Sequence, residues 1–347
     1  EKERKNSLEK RKLEGIDIPL KEDVQAKEST TLLECVKLVH NALPEINLDE
    51  VDTSITFLDH KFKSPLLIDS MTGGTAKGGS INSVLAAAAE KMGIGLAIGS
   101  QRAGLVEADL AKTFRVARKN APSIFLAANI GGAQLSKGFS LKNAKKLIDM
   151  VEANALIVHL NPLQELIQPE GETRFKGVLE KISDLVANVN VPVIVKEVGA
   201  GISKEVAIRL EMAGVAVINV AGVGGTSWAG VEQIRAKRAS IQEKTELGNL
   251  FWDWGIPTAV SLMEVKRTVK IPIIASGGLR NGLDIAKCIS LDANICAMAH
   301  PMLKAAAISK NILISFIEKT IRELKSTMYL VGATDIPRLA STRKIIT

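Results

Sequence analysis

The sequence predicts a closed (β/α)8 barrel (a TIM barrel) with an N-terminal extension, and three observations support this prediction. Eight short runs rich in Val, Ile, Leu and Ala recur along the chain, at 66–70, 94–99, 124–128, 155–158, 191–195, 215–220, 271–275 and 293–298. Polar residues or glycines follow each run, which is typical of the active-site end of such a barrel. Helical patterns alternate with the runs, most clearly at 80–92, 105–119, 140–152, 203–213, 282–290 and 311–330. A doubly wound sheet is the alternative, but eight repeats favour a closed barrel.

The composition indicates a large aliphatic core and an anionic ligand. Of the 347 residues 46% are hydrophobic but only 3% are aromatic, which suits a barrel interior layered with branched aliphatic side chains. The net charge of +7 favours an anionic partner, but zinc-finger spacing and stacking aromatics among the basic residues are lacking, which argues against nucleic acid. Cys35, Cys288 and Cys296 lack metal-ligand spacing and predict free thiols in a reducing compartment. Because no apolar stretch approaches the ~18 residues of a membrane span, we expect a cytoplasmic protein without membrane contact.

Three regions are predicted along the chain. Residues 1–63 form an extension, 64–332 the barrel, and 333–347 a C-terminal tail. Within the extension, residues 1–30 predict a flexible arm, 31–48 begin with helical spacing, and 54–63 alternate as a hairpin that closes the barrel floor. The insertion at 227–262 contains all three tryptophans, and we expect it to pack over one face of the barrel.

Two glycine-rich loops follow the sixth and seventh runs. Residues 276–282 read Ser-Gly-Gly-Leu-Arg-Asn-Gly, whose small residues let backbone N–H groups approach a phosphate while Arg280 adds a charge. Residues 223–227 form a second such loop, in which Thr226 can donate a hydroxyl or cap a helix. A tight turn explains either loop alone, but two neighbouring anion sites suggest a phosphorylated cofactor.

Polar groups with chemical potential follow the fourth and fifth runs. Lys196 ends an apolar run and must reach the barrel mouth, as a Schiff base, a flavin or anion contact, or a salt-bridge partner near Glu197. His159 and Asn161 share one face by strand alternation, and Gln164 and Glu165 lie on the loop beyond. A carboxylate beside an amide suits a Mg²⁺ ligand next to a substrate-orienting group, although a lone loop glutamate is usually solvated.

Three donors follow the second run. Ser100, Gln101 and Arg102 lie where the barrel mouth is expected, and together they suit an anion.

Taken together and in order, the motifs resemble the FMN-dependent type 2 isopentenyl-diphosphate isomerases, particularly the archaeal ones. The resemblance covers residues 11–332 and rests on Arg11-Lys12-Leu13-Glu14, Met71-Thr72-Gly73-Gly74, Gly99 to Arg102, His159 to Glu165, Gln168 to Gly171, Lys196-Glu197, Gly224 to Trp228 and Ser276 to Arg280. It implies a barrel that binds FMN and interconverts isopentenyl and dimethylallyl diphosphates in isoprenoid biosynthesis. Mg²⁺, reduced flavin with NAD(P)H as the reductant, and a homotetramer or homo-octamer are also implied.

The resemblance assigns roles residue by residue. It implies that FMN contacts Ser70, Met71, Thr72, Ser100, Asn129, Lys196, Ala221, Thr226, Gly278, Leu279, Arg280, Ala299 and His300. It implies that the substrate contacts Arg11, Lys12, Ser100, Gln101, Arg102, Asn161 and Gln164, with Arg11 and Lys12 reaching an adjoining subunit. Gln164, His159 and Lys196 are the implied catalytic residues, and Glu165 is the implied Mg²⁺ ligand.

The chain departs from the family pattern at three positions. Gly15, Asn219 and His300 stand where the family usually has His, Asp and Leu. Two alternatives therefore remain: an FMN-dependent oxidoreductase of the hydroxy-acid-oxidising type, which shares the Gly-Gly-x-Arg loop, and a non-catalytic flavin-binding paralogue. The Gln164-Glu165 and Arg11-Lys12 pairs argue against the oxidoreductase, and Gly15 and His300 are the support for the paralogue.

Overall fold

Eight parallel strands close into a barrel in the computed structural model, which describes the backbone of residues 2–347 and the side chains from Glu9 onward. The predicted fold class is therefore confirmed. The barrel strands are β4 (Leu66–Ile68), β5 (Gly95–Ala97), β6 (Leu126–Gly131), β7 (Ala155–His159), β8 (Val193–Lys196), β9 (Val217–Asn219), β10 (Ile273–Ala275) and β11 (Ile295–Met298). They follow chain order around the barrel, with β11 pairing back onto β4. The strands outside it are β1 (Val36–Leu38), β2 (Ile55–Phe57), β3 (His60–Phe62) and β12 (Lys344–Ile346).

Helix α1 (Lys2–Lys21) precedes the strands and lies over the carboxyl end of the barrel, and most of the other helices follow barrel strands and surround the barrel. The others are α2 (Ala76–Met92), α3 (Arg102–Val106), α4 (Ala108–Asn120), α5 (Gly132–Leu135), α6 (Leu141–Val151), α7 (Pro162–Ile167), α8 (Val178–Asn188), α9 (Lys204–Met212), α10 (Trp228–Arg238), α11 (Gln242–Leu250), α12 (Thr258–Thr268), α13 (Gly282–Ser290), α14 (His300–Ile308), α15 (Lys310–Val331) and α16 (Ile336–Ala340). The predicted helix over 105–119 is divided at Glu107 into α3 and α4. Among the described residues, every helix is too short or too polar to cross a membrane.

Alternation along the strands separates an inner core from an outer one. Leu67, Ala127 and Ile157 belong to a cluster inside the barrel, while their neighbours along the strands pack against the helices. Strands β2 and β3 form the predicted antiparallel hairpin, and Phe57 meets the ring of Phe125 edge-on at 6.1 Å. Because Phe125 immediately precedes β6, the hairpin closes the amino end of the barrel, and the carboxyl end is left for the site.

The two ends of the chain differ from the sequence-based expectation. The arm predicted as flexible forms α1, which buries Ile16 and Ile18. The helix predicted within 31–48 is wrong, because this segment makes a short 3-10 turn at 33–35 and then β1. Strand β1 pairs antiparallel with β12, so the C-terminal tail is bound to the extension. A pairing partner more than 300 residues away overrides the local apolar spacing here.

The insertion after β9 packs over the carboxyl face, as expected, and fastens the segment that follows α1. The backbone N–H of Ser227 donates to the carbonyl of Val24 at 2.7 Å, and the indole N–H of Trp252 donates to the carbonyl of Gln25 at 2.9 Å. The carboxylate of Asp253 accepts the backbone N–H of Lys27 at 2.9 Å. These contacts fix the extension across the open end of the barrel.

Candidate active site

One cavity at the carboxyl ends of the strands, beneath α1, brings nearly all of the predicted site residues together. Those that line it are Arg11, Lys12, Ser70, Met71, Thr72, Ser100, Asn129, His159, Asn161, Gln164, Glu165, Lys196, Ala221, Thr226, Gly278, Leu279, Arg280, Ala299 and His300. Asp69, Gln134 and Glu232, which the sequence analysis did not single out, also line it, as does Trp228 of the predicted family motif. Arg11 and Lys12 of α1 line the cavity of their own chain, and the expectation that they reach an adjoining subunit stays a prediction.

Gln101 is the predicted substrate contact that the structure contradicts. Its side chain is fully buried; its amide donates to the carbonyl of Leu147 on α6 at 3.0 Å, and its oxygen accepts the N–H of Asn129 at 2.9 Å. The side chain therefore points away from the cavity and supports Asn129 from behind. Arg102 does not line the cavity either, but its positive charge contributes to the lowered pKa of Lys12. Its role as a substrate contact stays a prediction.

The two glycine-rich loops meet as the sequence predicted and form a cradle at one side of the cavity. A Cβ atom on Gly225 would lie 2.6 Å from the Cα atom of Gly278, so only glycine permits this approach. Gly278 has φ of +77°, and the guanidinium of Arg280 faces Thr226 across the loops. Backbone N–H groups beside an arginine bind phosphate. The buried hydroxyl of Thr72, on the cavity wall, lacks a hydrogen-bond partner among the described residues. The donors that line the cavity, namely the loop N–H groups, Arg280 and this hydroxyl, fit a phosphorylated flavin.

A buried ion pair forms the floor of the cavity. The ammonium of Lys196 lies 3.6 Å from Asp69 Oδ2 and donates to the carbonyl of Glu197 at 2.9 Å. The same Asp69 oxygen accepts from the amide of Asn219 at 3.2 Å, and Asn219 Oδ1 accepts from the hydroxyl of Ser276 at 2.6 Å. Lys196 thus reaches the barrel mouth as predicted, but its ionic partner is Asp69 on the β4 side. A fixed positive charge in this position suits an electron-rich ring above it.

His159 is held neutral at the cavity wall. Burial, together with the positive charges of Lys196, Lys12 and Arg11, lowers the pKa of His159 to about 3. Its Nδ1 lies 2.8 Å from Asn129 Oδ1, and the Asn129 amide donates to the hydroxyl of Ser70. Since the Asn129 oxygen only accepts, Nδ1 carries the proton and Nε2 keeps its lone pair. The side chain can therefore accept a hydrogen bond from a ligand through Nε2.

A linked set of amides and carboxylates also lines the cavity. The Gln164 amide donates to Glu232 Oε1 at 2.9 Å, and Gln164 Oε1 accepts from Asn161 at 3.0 Å. Glu165 is buried, and one of its oxygens accepts the N–H of Glu172 at 2.7 Å. The buried oxygen of Asn161 has no partner among the described residues. Glu165 and this amide oxygen have the hard-ligand chemistry that Mg²⁺ prefers.

Lys12 lies over the same cavity as a titratable cation. Its ammonium donates to the carbonyl of Ser100 at 3.0 Å. Burial, with the neighbouring charges of Arg11 and Arg102, lowers the pKa of Lys12 from 10.5 to about 7. Anion binding beside these groups would offset their mutual repulsion.

A charge cluster that the sequence analysis missed holds α1 over the barrel. Arg235 on α10 binds Glu14 at 2.8 Å, Glu170 at 2.8 Å and Glu232 at 2.7 Å. The cluster joins α1, the loop after α7, and α10. The available sequence signal was the i,i+3 pair of Glu232 and Arg235, which is too common on solvated helices to stand out.

Comparison with known proteins defines the class first. The family model described as FMN-dependent dehydrogenase matches residues 132–346, and with the cradle and the barrel this makes the chain an FMN-dependent TIM-barrel protein. A solved mandelate oxidase carrying an FMN adduct aligns with a TM-score of 0.64 at 18% identity, covering 92% of this chain and 90% of the oxidase. At that identity the likeness shows the fold alone.

Curated relatives then identify the family. Proteins named isopentenyl-diphosphate delta-isomerase from Methanosarcina mazei and Methanothermobacter thermautotrophicus are 43% and 47% identical, over 99% and 97% of this chain and 93% of each relative. One from Nostoc is 46% identical over 95% of this chain and 93% of its own length. The chain belongs to the isopentenyl-diphosphate delta-isomerase family, as its motifs predicted.

Proposed function

We propose that this chain interconverts isopentenyl and dimethylallyl diphosphates, using reduced FMN in the barrel mouth. The proposal depends mainly on one observation: a single cavity is lined by two separate groups of residues suited to bind anions. The glycine cradle with Arg280, the Arg11-Lys12 pair and Gln164 all line this one cavity. The relatives named isomerase favour this function over hydroxy-acid oxidation.

Moving a double bond along a chain requires adding a proton at one carbon and removing one from another. An alkene is a very poor base, and the developing cation needs protection from water. Gln164 has no useful pKa, so its role is to orient the substrate, with Glu232 holding its amide in place. Reduced FMN, when bound, supplies a proton donor and acceptor at its central ring. Lys196 acts through its charge, since its ammonium is held by Asp69.

Glu165 is the proposed Mg²⁺ ligand. The described residues contain no group of three or more His, Cys, Asp or Glu side chains suited to a metal. Mg²⁺ commonly binds through one or two carboxylates and completes its octahedron with water and substrate phosphate oxygens. Glu165 would hold the ion, the unpartnered oxygen of Asn161 is a further hard donor, and the bound Mg²⁺ would neutralise charge on the diphosphate. NAD(P)H is the proposed source of the electrons that keep the flavin reduced.

An anaerobic turnover assay tests the proposal. The FMN-loaded protein is incubated with Mg²⁺, isopentenyl diphosphate and chemically reduced flavin, beside a sample with oxidised flavin. We expect dimethylallyl diphosphate from the reduced sample alone. No product from protein whose flavin reduces normally would contradict the proposal and favour the non-catalytic paralogue. Reduction of the flavin by a 2-hydroxy acid would favour the oxidoreductase.

Diphosphate binding is expected to be coupled to proton uptake at Lys12. With a pKa of about 7 against 10.5 when exposed, Lys12 is mostly neutral in the free folded protein at mildly alkaline pH. A bound diphosphate favours the charged form, so Lys12 takes up a proton and affinity falls as the pH rises above 7. Titration calorimetry with inorganic pyrophosphate, in two buffers of different ionisation enthalpy at about pH 8.5, should show uptake of about one proton.

The matched control is Lys12→Arg, whose guanidinium stays charged throughout this range. Because inorganic pyrophosphate also exchanges a proton near this pH, the comparison is made by difference: Lys12→Arg should take up about one proton fewer than wild type and show a flatter pH dependence. Unchanged uptake in Lys12→Arg would assign the titration to another group.

A cytoplasmic homotetramer or homo-octamer is the proposed state of the protein. The three cysteines are free thiols, as a reducing compartment allows. Light scattering on the FMN-loaded protein measures the subunit number directly, and a monomer at micromolar concentration would contradict the assembly.

A further inference from the structure

Gln25, four residues beyond the end of α1, extends its side chain into the glycine cradle. Its Oε1 accepts from Arg280 Nη2 at 2.5 Å, and its Nε2 donates to the hydroxyl of Thr226 at 3.2 Å. The same nitrogen lies 3.5 Å from Nδ1 of His300. Arg280 and Thr226 belong to the two glycine-rich loops of the cradle, and His300 begins α14. The amide oxygen of Gln25 therefore occupies a position where an oxygen of a bound anion is expected.

Backbone contacts hold Gln25 at the cradle independently of its side chain. Gln25 forms an isolated antiparallel bridge with Thr226, and the N–H of Ala26 donates to the carbonyl of Gly225 at 2.7 Å. The carbonyl of Gln25 accepts the indole N–H of Trp252 at 2.9 Å. The preceding residue, Val24, is fully buried. A ligand that enters the cradle therefore meets Gln25. Because the backbone of Gln25 is held by these contacts, its side-chain amide is the part that can readily turn.

The amide group has the chemistry to change partners when a phosphate arrives. The guanidinium of Arg280 has donors and no acceptor, and it binds phosphate in preference to a neutral amide oxygen. Once Arg280 turns to the phosphate, a half-turn of the Gln25 amide directs an N–H toward the anion. Its oxygen then faces the hydroxyl of Thr226, which can donate as well as accept.

We propose that Gln25 is a binding residue for the phosphate of the flavin, supplied by the N-terminal extension and not by the barrel. This inference rests on the proposed function, which assigns the cradle to that phosphate. It links cofactor recognition to the extension that also carries Arg11 and Lys12 across the cavity. Phosphate recognition would then depend on the extension being docked.

Flavins with and without the phosphate test the proposal on the full chain after its flavin has been removed by dialysis. Binding of FMN and of riboflavin is followed by flavin fluorescence for wild type, Gln25→Glu and Gln25→Ala. Gln25→Glu keeps the shape but brings a negative charge against the phosphate, so FMN affinity should fall about 100-fold. Gln25→Ala removes one hydrogen bond to a charged group, and FMN affinity should fall about 10-fold. Riboflavin affinity should change less than about 2-fold in both, since riboflavin carries no phosphate to contact Gln25.

Two further variants make the result decisive. Gln242→Glu on α11 adds the same charge outside the cavity and should bind both flavins as wild type does. Arg280→Ala tests the cradle itself and should lose most of the preference for FMN over riboflavin. If Arg280→Ala loses that preference while both Gln25 variants keep it, Gln25 is not a phosphate contact and the proposed cradle stands. If Arg280→Ala keeps the preference, the cradle does not bind the flavin phosphate. The assignment of the cradle and the proposed role of Gln25 would then both fail.

Equal losses for FMN and riboflavin in Gln25→Ala would also overturn the proposal. That pattern would assign Gln25 a purely structural role in docking the extension. Thermal unfolding of the flavin-free variants provides an independent check on their folding.

Discussion

Gln164→Ala is expected to lower kcat about 100-fold, the loss typical when one positioned polar group is removed from a reacting centre. Gln164 accepts a hydrogen bond from Asn161 at 3.0 Å and donates one to Glu232 at 2.9 Å, so its amide is held by groups outside the glycine cradle. The substrate would lose its orienting amide, and the buried carboxylate of Glu232 would lose a donor. FMN affinity should change less than about 3-fold, because the flavin phosphate binds elsewhere in the cavity. Anaerobic turnover and a flavin titration of the same sample measure the two effects.

Gln242→Ala, an exposed glutamine on α11, is the matched control and should leave both quantities unchanged. The comparison separates orientation of the substrate from general damage to the cavity. Equal losses of turnover and of FMN affinity in Gln164→Ala would contradict the assigned role. So would full turnover, since it would show that the amide is dispensable.

Lys196→Met is expected to lower the free energy of unfolding by about 3 kcal/mol, because removing one member of a buried ion pair leaves the other charge unpaired. Lys196 and Asp69 are only 6% and 5% exposed and lie 3.6 Å apart, so loss of the ammonium leaves the carboxylate of Asp69 poorly solvated. Adding Asp69→Asn removes the remaining charge and should recover more than half of the loss. Urea unfolding of the flavin-free proteins at neutral pH measures both changes.

Lys304→Met, at an exposed position on α14, is the control for removing a lysine charge and should change stability by less than about 0.5 kcal/mol. A stable Lys196→Met variant would show that Asp69 is protonated or hydrated in the folded protein. A double variant less stable than Lys196→Met would show that Asp69 has a structural role apart from the pair, through Asn219.

The barrel and most of its site were predictable because their signals are local. Each strand is a short apolar run, and the predicted site residues of the barrel lie at or just beyond the ends of these runs. The geometry of the fold therefore brings Lys196, Asn129 and Arg280 to one cavity. The prediction that Gln101 contacts the substrate was wrong for a local reason as well. It stands between two pocket candidates, but its side chain turns into the barrel wall toward α6. Adjacency in sequence cannot tell which side of a loop faces the ligand.

The elements that the sequence analysis missed depend on distant partners. The pairing of β1 with β12 joins opposite ends of the chain, and apolar spacing within 31–48 gives no sign of it. The cluster around Arg235 collects glutamates from three segments that are far apart in sequence. Gln25 reaches Arg280 across 255 positions, from a segment whose composition predicts only a polar connection.

By itself, the sequence determined the barrel, the two glycine-rich loops, the family and the polar residues at the strand ends. Hydrophobic periodicity and glycine content are local properties of the sequence, so they can be recognised without the tertiary structure. The tertiary structure decided how the extension closes over the cavity, which charges are paired, and which titrate near neutrality. Those properties depend on burial and on distances between side chains, which arise only when separate segments pack together. The neutral state of His159 and the lowered pKa of Lys12 are examples, because their neighbours come from other strands and from α1.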